Sequence, residues 1–118
     1  MEKKYILLVD DEEGIRLLYR EEFEEEGYAV ATASNGEEAL ETFNQEQPDL
    51  VILDINMPGM NGIEVLRRMK EINPNLPVIL SSAYQEYKQD LGTWASEDYI
   101  VKSANMDELK KAVRKYLG

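Results

Sequence analysis

The chain has no cysteine and no histidine. The first absence removes disulfides, thiolate zinc sites and cysteine nucleophiles, and the second removes the usual general base and the commonest transition-metal ligand. The chemistry that remains belongs to carboxylates, hydroxyls and lysine. Positive charge is scarce too: 13 Lys and Arg stand against 24 Asp and Glu, a formal charge of -11. Most faces of such a molecule would repel a phosphate backbone, so direct nucleic-acid binding is not expected, and most glutamates read as solvated surface. No apolar run approaches membrane-spanning length, and Met1-Glu2-Lys3-Lys4 leads straight into a strand pattern instead of a signal-peptide core. The expected location is the cytoplasm, with no membrane partner.

The 118 residues, 43% apolar and 31% charged, suit one soluble globular domain spanning 1–118, and no repeat or Pro/Ser-rich linker marks a second. Short apolar runs alternate with amphipathic segments. Tyr5 to Val9, Tyr28 to Ala33, Leu50 to Leu53, Pro77 to Leu80 and Asp98 to Val101 carry strand patterns. Glu12 to Glu26, stopped by Gly27, and Glu37 to Gln47, broken by Pro48-Asp49, carry helical ones. A third helix after Asn61-Gly62 places Ile63, Leu66, Met69 and Ile72 on one face; a terminal one, Asp107 to Leu117, places Leu109, Ala112, Val113 and Tyr116. Between Ser82 and Asp98 the helical pattern weakens around Gly92. Five βα units in succession predict a doubly wound α/β fold: an open, parallel five-stranded sheet of flavodoxin-like order 2-1-3-4-5 with helices on both faces.

In such sheets the ligand site lies outside the carboxyl ends of the strands, where strand order reverses. Asp10-Asp11 follow the first strand, Asp54 ends the third, Ser81-Ser82 end the fourth and Lys102 follows the fifth. Three carboxylates in one crevice repel one another unless a cation joins them, and hard oxygen donors without imidazole or thiolate point to Mg2+. Lys102 could pair with an anionic phosphoryl oxygen and Ser82 could donate a hydrogen bond to another. Asp54, between the metal side and the cationic side, is then the carboxylate placed to attack phosphorus.

The motifs Leu8-Val9-Asp10-Asp11-Glu12, Leu53-Asp54-Ile55-Asn56-Met57-Pro58-Gly59-Met60-Asn61-Gly62, Ser81-Ser82-Ala83-Tyr84 and Asp98-Tyr99-Ile100-Val101-Lys102 fall in this order, each at a strand end. The sequence resembles the receiver domains of two-component response regulators along essentially its whole length, apparently as a stand-alone domain. The resemblance implies that Asp11 and Asp54 bind Mg2+ directly, that Asp10 assists through water, and that the Asn56 carbonyl is a further ligand. It implies that Asp54 is the phosphoacceptor, that Ser82 and Lys102 hold the phosphoryl oxygens, and that Asn56 and Tyr84 tune dephosphorylation. Ser82 and Tyr99 would couple the phosphoryl group to the face built by the fourth helix, fifth strand and fifth helix. The implied partners are a histidine kinase or a histidine phosphotransfer protein, since the chain has no histidine to act as donor, together with an output protein that the sequence does not name.

Two features depart from the family pattern. Lys102 is followed by Ser103 where proline in a cis peptide is usual, and a cis bond before a non-proline residue costs about 3 kcal/mol. The stretch from Ser82 to Lys102 is also short by about two residues as an alignment judgement. The first helix has an apolar arc, Ile15, Leu17, Leu18, Tyr19 and Phe23, wider than one buried stripe requires. Ile15 and Leu18, with Gly14 permitting close approach, are expected to dock the phosphodonor, extra core packing being the alternative. Three rival functions fit these residues less well. A haloacid-dehalogenase-like phosphatase would need a carboxylate two residues beyond Asp54, where Asn56 stands. A flavin module would not place Asp10-Asp11 in its phosphate loop. A degenerate receiver acting as a protein-binding scaffold is opposed by the intact acidic set.

Overall fold

The structure, a computed structural model, describes residues 3–55, 57, 59–82, 98–101 and 106–118, with the backbone alone described at 98, 99 and 101. Five strands form one sheet: β1 (Tyr5–Val9), β2 (Ala29–Ala33), β3 (Leu50–Asp54), β4 (Val78–Ser82) and β5 (Asp98–Val101). Every pairing is parallel and the order is β2-β1-β3-β4-β5, as the pattern predicts. The described helices are α1 (Glu13–Glu25), α2 (Gly36–Glu46), α3 (Gly62–Ile72) and α4 (Asp107–Leu117). The weak helical pattern between Ser82 and Asp98 lies outside the described residues.

The central strands are nearly continuous apolar runs because helices cover them on both sides. On one face Leu7, Val9, Val51, Leu53, Val78 and Leu80 pack with Phe43 of α2 and Val65, Leu66 and Met69 of α3. On the other, Ile6, Leu8, Leu50, Ile52, Ile79 and Ile100 pack with Tyr19 and Phe23 of α1 and Leu109 and Val113 of α4. Alternation along each strand therefore sends odd-numbered residues of β1 and β3 to α2 and α3, and even-numbered ones to α1 and α4.

Helix ends follow local chemistry. Asn35 caps α2 by accepting from the Glu38 N–H at 2.8 Å, while the Glu38 carboxylate accepts from the Ser34 N–H at 3.1 Å. Asn61 caps α3 through the Glu64 N–H at 3.0 Å. Gly27, at φ 97°, turns the chain out of α1 as expected. Two expectations need correction. Gln47 belongs to the left-handed turn that ends α2, at φ 44°, and not to the helix itself. The buried stripe of α3 runs through Gly62, Val65, Leu66 and Met69, whereas Ile72, at the end of the helix and outside this stripe, is 58% exposed.

Helix α4 lies against α1 through apolar contact and two ion pairs, Lys110 to Glu22 at 2.7 Å and Arg114 to Glu26 at 2.8 Å. The hydrogen-bonded Glu22 holds the Lys110 ammonium above the usual lysine range. That contribution is present at and below the ordinary lysine pKa and is lost as pH rises through the raised value. Burial outweighs it. In urea unfolding, Phe23→Ala is expected to cost about 3–5 kcal/mol, and Lys110→Ala far less, an effect that molar salt erases.

Candidate functional site

The strand order reverses between β1 and β3, and the polar residues cluster at the carboxyl ends of these strands. Val9 and Leu53 are register partners, so Asp10 and Asp54, the next residues along, emerge side by side. On the other side of Asp54, Ser81 is its partner on β4. Asp10 and Asp54 are buried, at 2% and 3% exposure, and both are engaged in interactions. Burying carboxylates is costly unless partners or a cation compensate them, so this pair marks a site and not ordinary surface.

Asp10 does more than cap a helix. Its N–H donates to the Ala33 carbonyl at 3.1 Å, its Oδ1 accepts from the Glu12 N–H at 2.9 Å, and its carbonyl accepts from the Arg16 guanidinium at 2.7 Å. The residue before α1 is Glu12, whose side chain makes no capping bond. The turn thus holds three carboxylates together: Asp10, Asp11 and Glu12 each offer an oxygen, all within 4.8 Å of one another. Asp54 is not one of these three and presents its carboxylate from the neighbouring strand end. Asp11 also lines an open cleft of about 570 Å³ with Ser34, Asn35, Gly36, Glu37, Gly59 and Met60.

Other anticipated residues are distributed as follows. Ser82 is fully buried at the end of β4 and engaged in an interaction. Tyr99 lies on β5 with its backbone opposite Leu80. Lys102, Ser103, Asn56 and Tyr84 lie outside the described residues. On α1, Gly14 is exposed, Leu18 is 47% exposed and Ile15 is half-buried against the α1 and α4 face of the core.

Sequence reasoning missed Glu12 as a carboxylate of the cluster, and Arg16 as the cation that pins the turn carrying Asp10. It also read Asn61-Gly62 only as a turn leading into the helix. Gly62 is where α3 touches the end of β3: its N–H donates to the Ile55 carbonyl at 2.9 Å, and a Cβ there would fall 2.2 Å from the Asp54 carbonyl oxygen and 2.7 Å from the Ile55 Cα. Close approach, not an unusual backbone angle, requires glycine. A glycine placed immediately after a helix cap was the available signal.

With this geometry established, comparison with known proteins decides the family. The sequence profile of the response regulator receiver domain matches residues 6–114. The chain is a member of this receiver family. It is 44% identical over 119 residues to sporulation initiation phosphotransferase F of Bacillus subtilis, covering 99% of this chain and 96% of that protein. The response regulator TrrA of Thermotoga maritima, solved in complex with Mg2+-BeF, is similar at 52% identity with a TM-score of 0.94, covering 97% of this chain and 99% of that one. TrrA solved in complex with the histidine kinase ThkA gives 50% identity and a TM-score of 0.91, covering 98% and 99%.

The contact at Gly62 generates a paired expectation. Gly62→Ala should lower unfolding free energy by about 1–3 kcal/mol, because backbone cannot yield as a flexible side chain would. Gly14→Ala, where an added Cβ meets nothing within 4 Å, should raise it by about 0.4–1 kcal/mol. Urea denaturation of both variants measures the contrast.

Proposed function

We propose that this receiver accepts a phosphoryl group on Asp54, in the presence of Mg2+, from a histidine kinase or histidine phosphotransfer protein, and passes the change to an output partner. The observation that carries the reading is the buried Asp54 carboxylate at the end of a central strand, beside the buried Asp10. Support also comes from TrrA, a close relative found in complexes with Mg2+-BeF and with a histidine kinase.

The donor set fits Mg2+. Carboxylate oxygens of Asp10, Asp11 and Glu12 converge, and the chain contains no imidazole or thiolate to favour a softer metal. Asp10, Asp11, Asp54 and the Asn56 carbonyl would hold the ion, Asp10 through water, and when bound it offsets the charge of the carboxylates and of an incoming phosphoryl group. Asp54 supplies the nucleophile. Its oxygen forms the bond to phosphorus while the bond to the donor breaks and that electron pair stays with the donor. Lys102 and Ser82 receive the phosphoryl oxygens through charge-assisted hydrogen bonds.

Asn56 and Tyr84 set the access of water to the acyl phosphate and so the lifetime of the signal. Ser82 and Tyr99 act as the switch, favouring one arrangement of β5 and α4 when the phosphoryl group is present. Gly14, Ile15 and Leu18 form the donor-docking patch. The product is a modified protein and not a released compound, so the role is that of a signalling phosphoacceptor that promotes only its own phosphorylation and slow dephosphorylation.

Intact mass after incubation with Mg2+ and an acyl phosphate tests the central step. A gain of one phosphoryl group, absent in Asp54→Asn and on chelation of the metal, is the expected result; no gain from several donors would favour a scaffold role. For the docking patch, Leu18→Ala should slow transfer from the cognate kinase about five- to tenfold. Undiminished transfer would assign Leu18 to incidental surface.

A further inference from the structure

Among the described residues, the Ser81 hydroxyl is the buried side-chain polar atom that finds no hydrogen-bond partner. Ser81 is 3% exposed and lies on β4 between Asp54 of β3 and Ile100 of β5, each its partner in register. A buried hydroxyl left unbonded is a cost that a sheet interior seldom carries without use. The adjacent Ser82 is also buried but engaged, so the two serines are not equivalent.

The face on which Ser81 sits identifies its use. Ile79, two residues earlier, belongs to the core beneath α1 and α4, as do Leu50 and Ile52 of β3. Alternation therefore places Ser81 and Asp54 on that same side of the sheet. Neighbouring strands lie about 4.8 Å apart, so the side chains of register partners are within reach of a hydrogen bond after a turn about Cα–Cβ. Ser82, by the same alternation, starts from the opposite side.

Resting on the reading of Asp54 as phosphoacceptor, we infer that Ser81 is a positioning residue for dephosphorylation, its hydroxyl donating to the Asp54 carboxylate as that group leaves phosphorus. In that step a water oxygen bonds to phosphorus and the bond from the Asp54 oxygen to phosphorus breaks. The electron pair stays on the Asp54 carboxylate, one proton of the water remains on the new phosphate and the other passes to phosphate or solvent. Negative charge on the Asp54 oxygens grows through the step, so a donor aimed there binds more strongly in the transition state than before it. In the unphosphorylated chain Asp54 is already engaged in an interaction, while the Ser81 hydroxyl has no partner.

The test follows the decay of the phosphorylated full-length chain. Wild type, Ser81→Ala and Ser81→Thr are phosphorylated with an acyl phosphate in Mg2+, the small donor is removed, and intact mass is read against time beside a thermal melt of each protein. Ser81→Ala should lengthen the phosphorylated half-life about three- to tenfold without a lower melting temperature, and Ser81→Thr, which keeps the hydroxyl, should retain the wild-type half-life. Decay of Ser81→Ala at the wild-type rate overturns the inference, as does equal lengthening in Ser81→Thr, which would trace the effect to packing. A wild type that takes up no phosphoryl group overturns the Asp54 reading, and the inference with it.

Discussion

Repulsion between carboxylates held together at one end of the sheet is the constraint on which this molecule turns. Asp10, just after β1, and Asp54, at the end of β3, are buried side by side, and Asp11 and Glu12 crowd the turn that Asp10 begins. Two like charges about 5 Å apart at an effective dielectric of 20 repel by about 3 kcal/mol, a sizeable share of the stability of a domain this small. A chain selected for stability alone would not assemble such a group. The cluster makes sense when a cation joins it and when charge is to be moved there, which is what a receiver does.

The rest of the fold keeps these charges from drifting apart. Helices on both faces bury β3 and β4 completely and β1 from Ile6 onward, so their carboxyl ends are fixed relative to one another by parallel register. The turn after β1 is pinned by Arg16 on the Asp10 carbonyl, and α3 is drawn against the end of β3 at Gly62. The packing energy that resists charge repulsion comes from the two apolar layers, and the surface ion pairs between α1 and α4 add little to it.

Strand positions and order were legible because each strand is an apolar run bounded by Gly, Pro, Asn or Asp, and because successive βα units permit few windings. The acidic site was legible for the same reason: Asp10 and Asp54 stand next to such runs. What could not be read was tertiary. That Val65 and not Ile72 is buried depends on which arc of α3 meets the sheet, and that Gly62 must lack a side chain depends on a strand end eight residues earlier lying against it. The α1 arc of Leu17 and Leu18 was rightly expected to be partly exposed, at 60% and 47%, while Ile15 turned out half-buried. The two serines look alike in sequence; only the register distinguishes Ser81, opposite Asp54, from Ser82.

If buried carboxylate repulsion is the governing constraint, metal and charge removal should act on stability in the same direction. Melting temperature measured across a Mg2+ titration, for wild type and Asp54→Asn, tests this most directly. The account predicts that Mg2+ raises the wild-type melting temperature to a plateau, that Asp54→Asn melts higher than wild type in metal-free buffer, and that the variant gains less from Mg2+. A wild type indifferent to millimolar Mg2+, with Asp54→Asn melting lower than wild type, would contradict it.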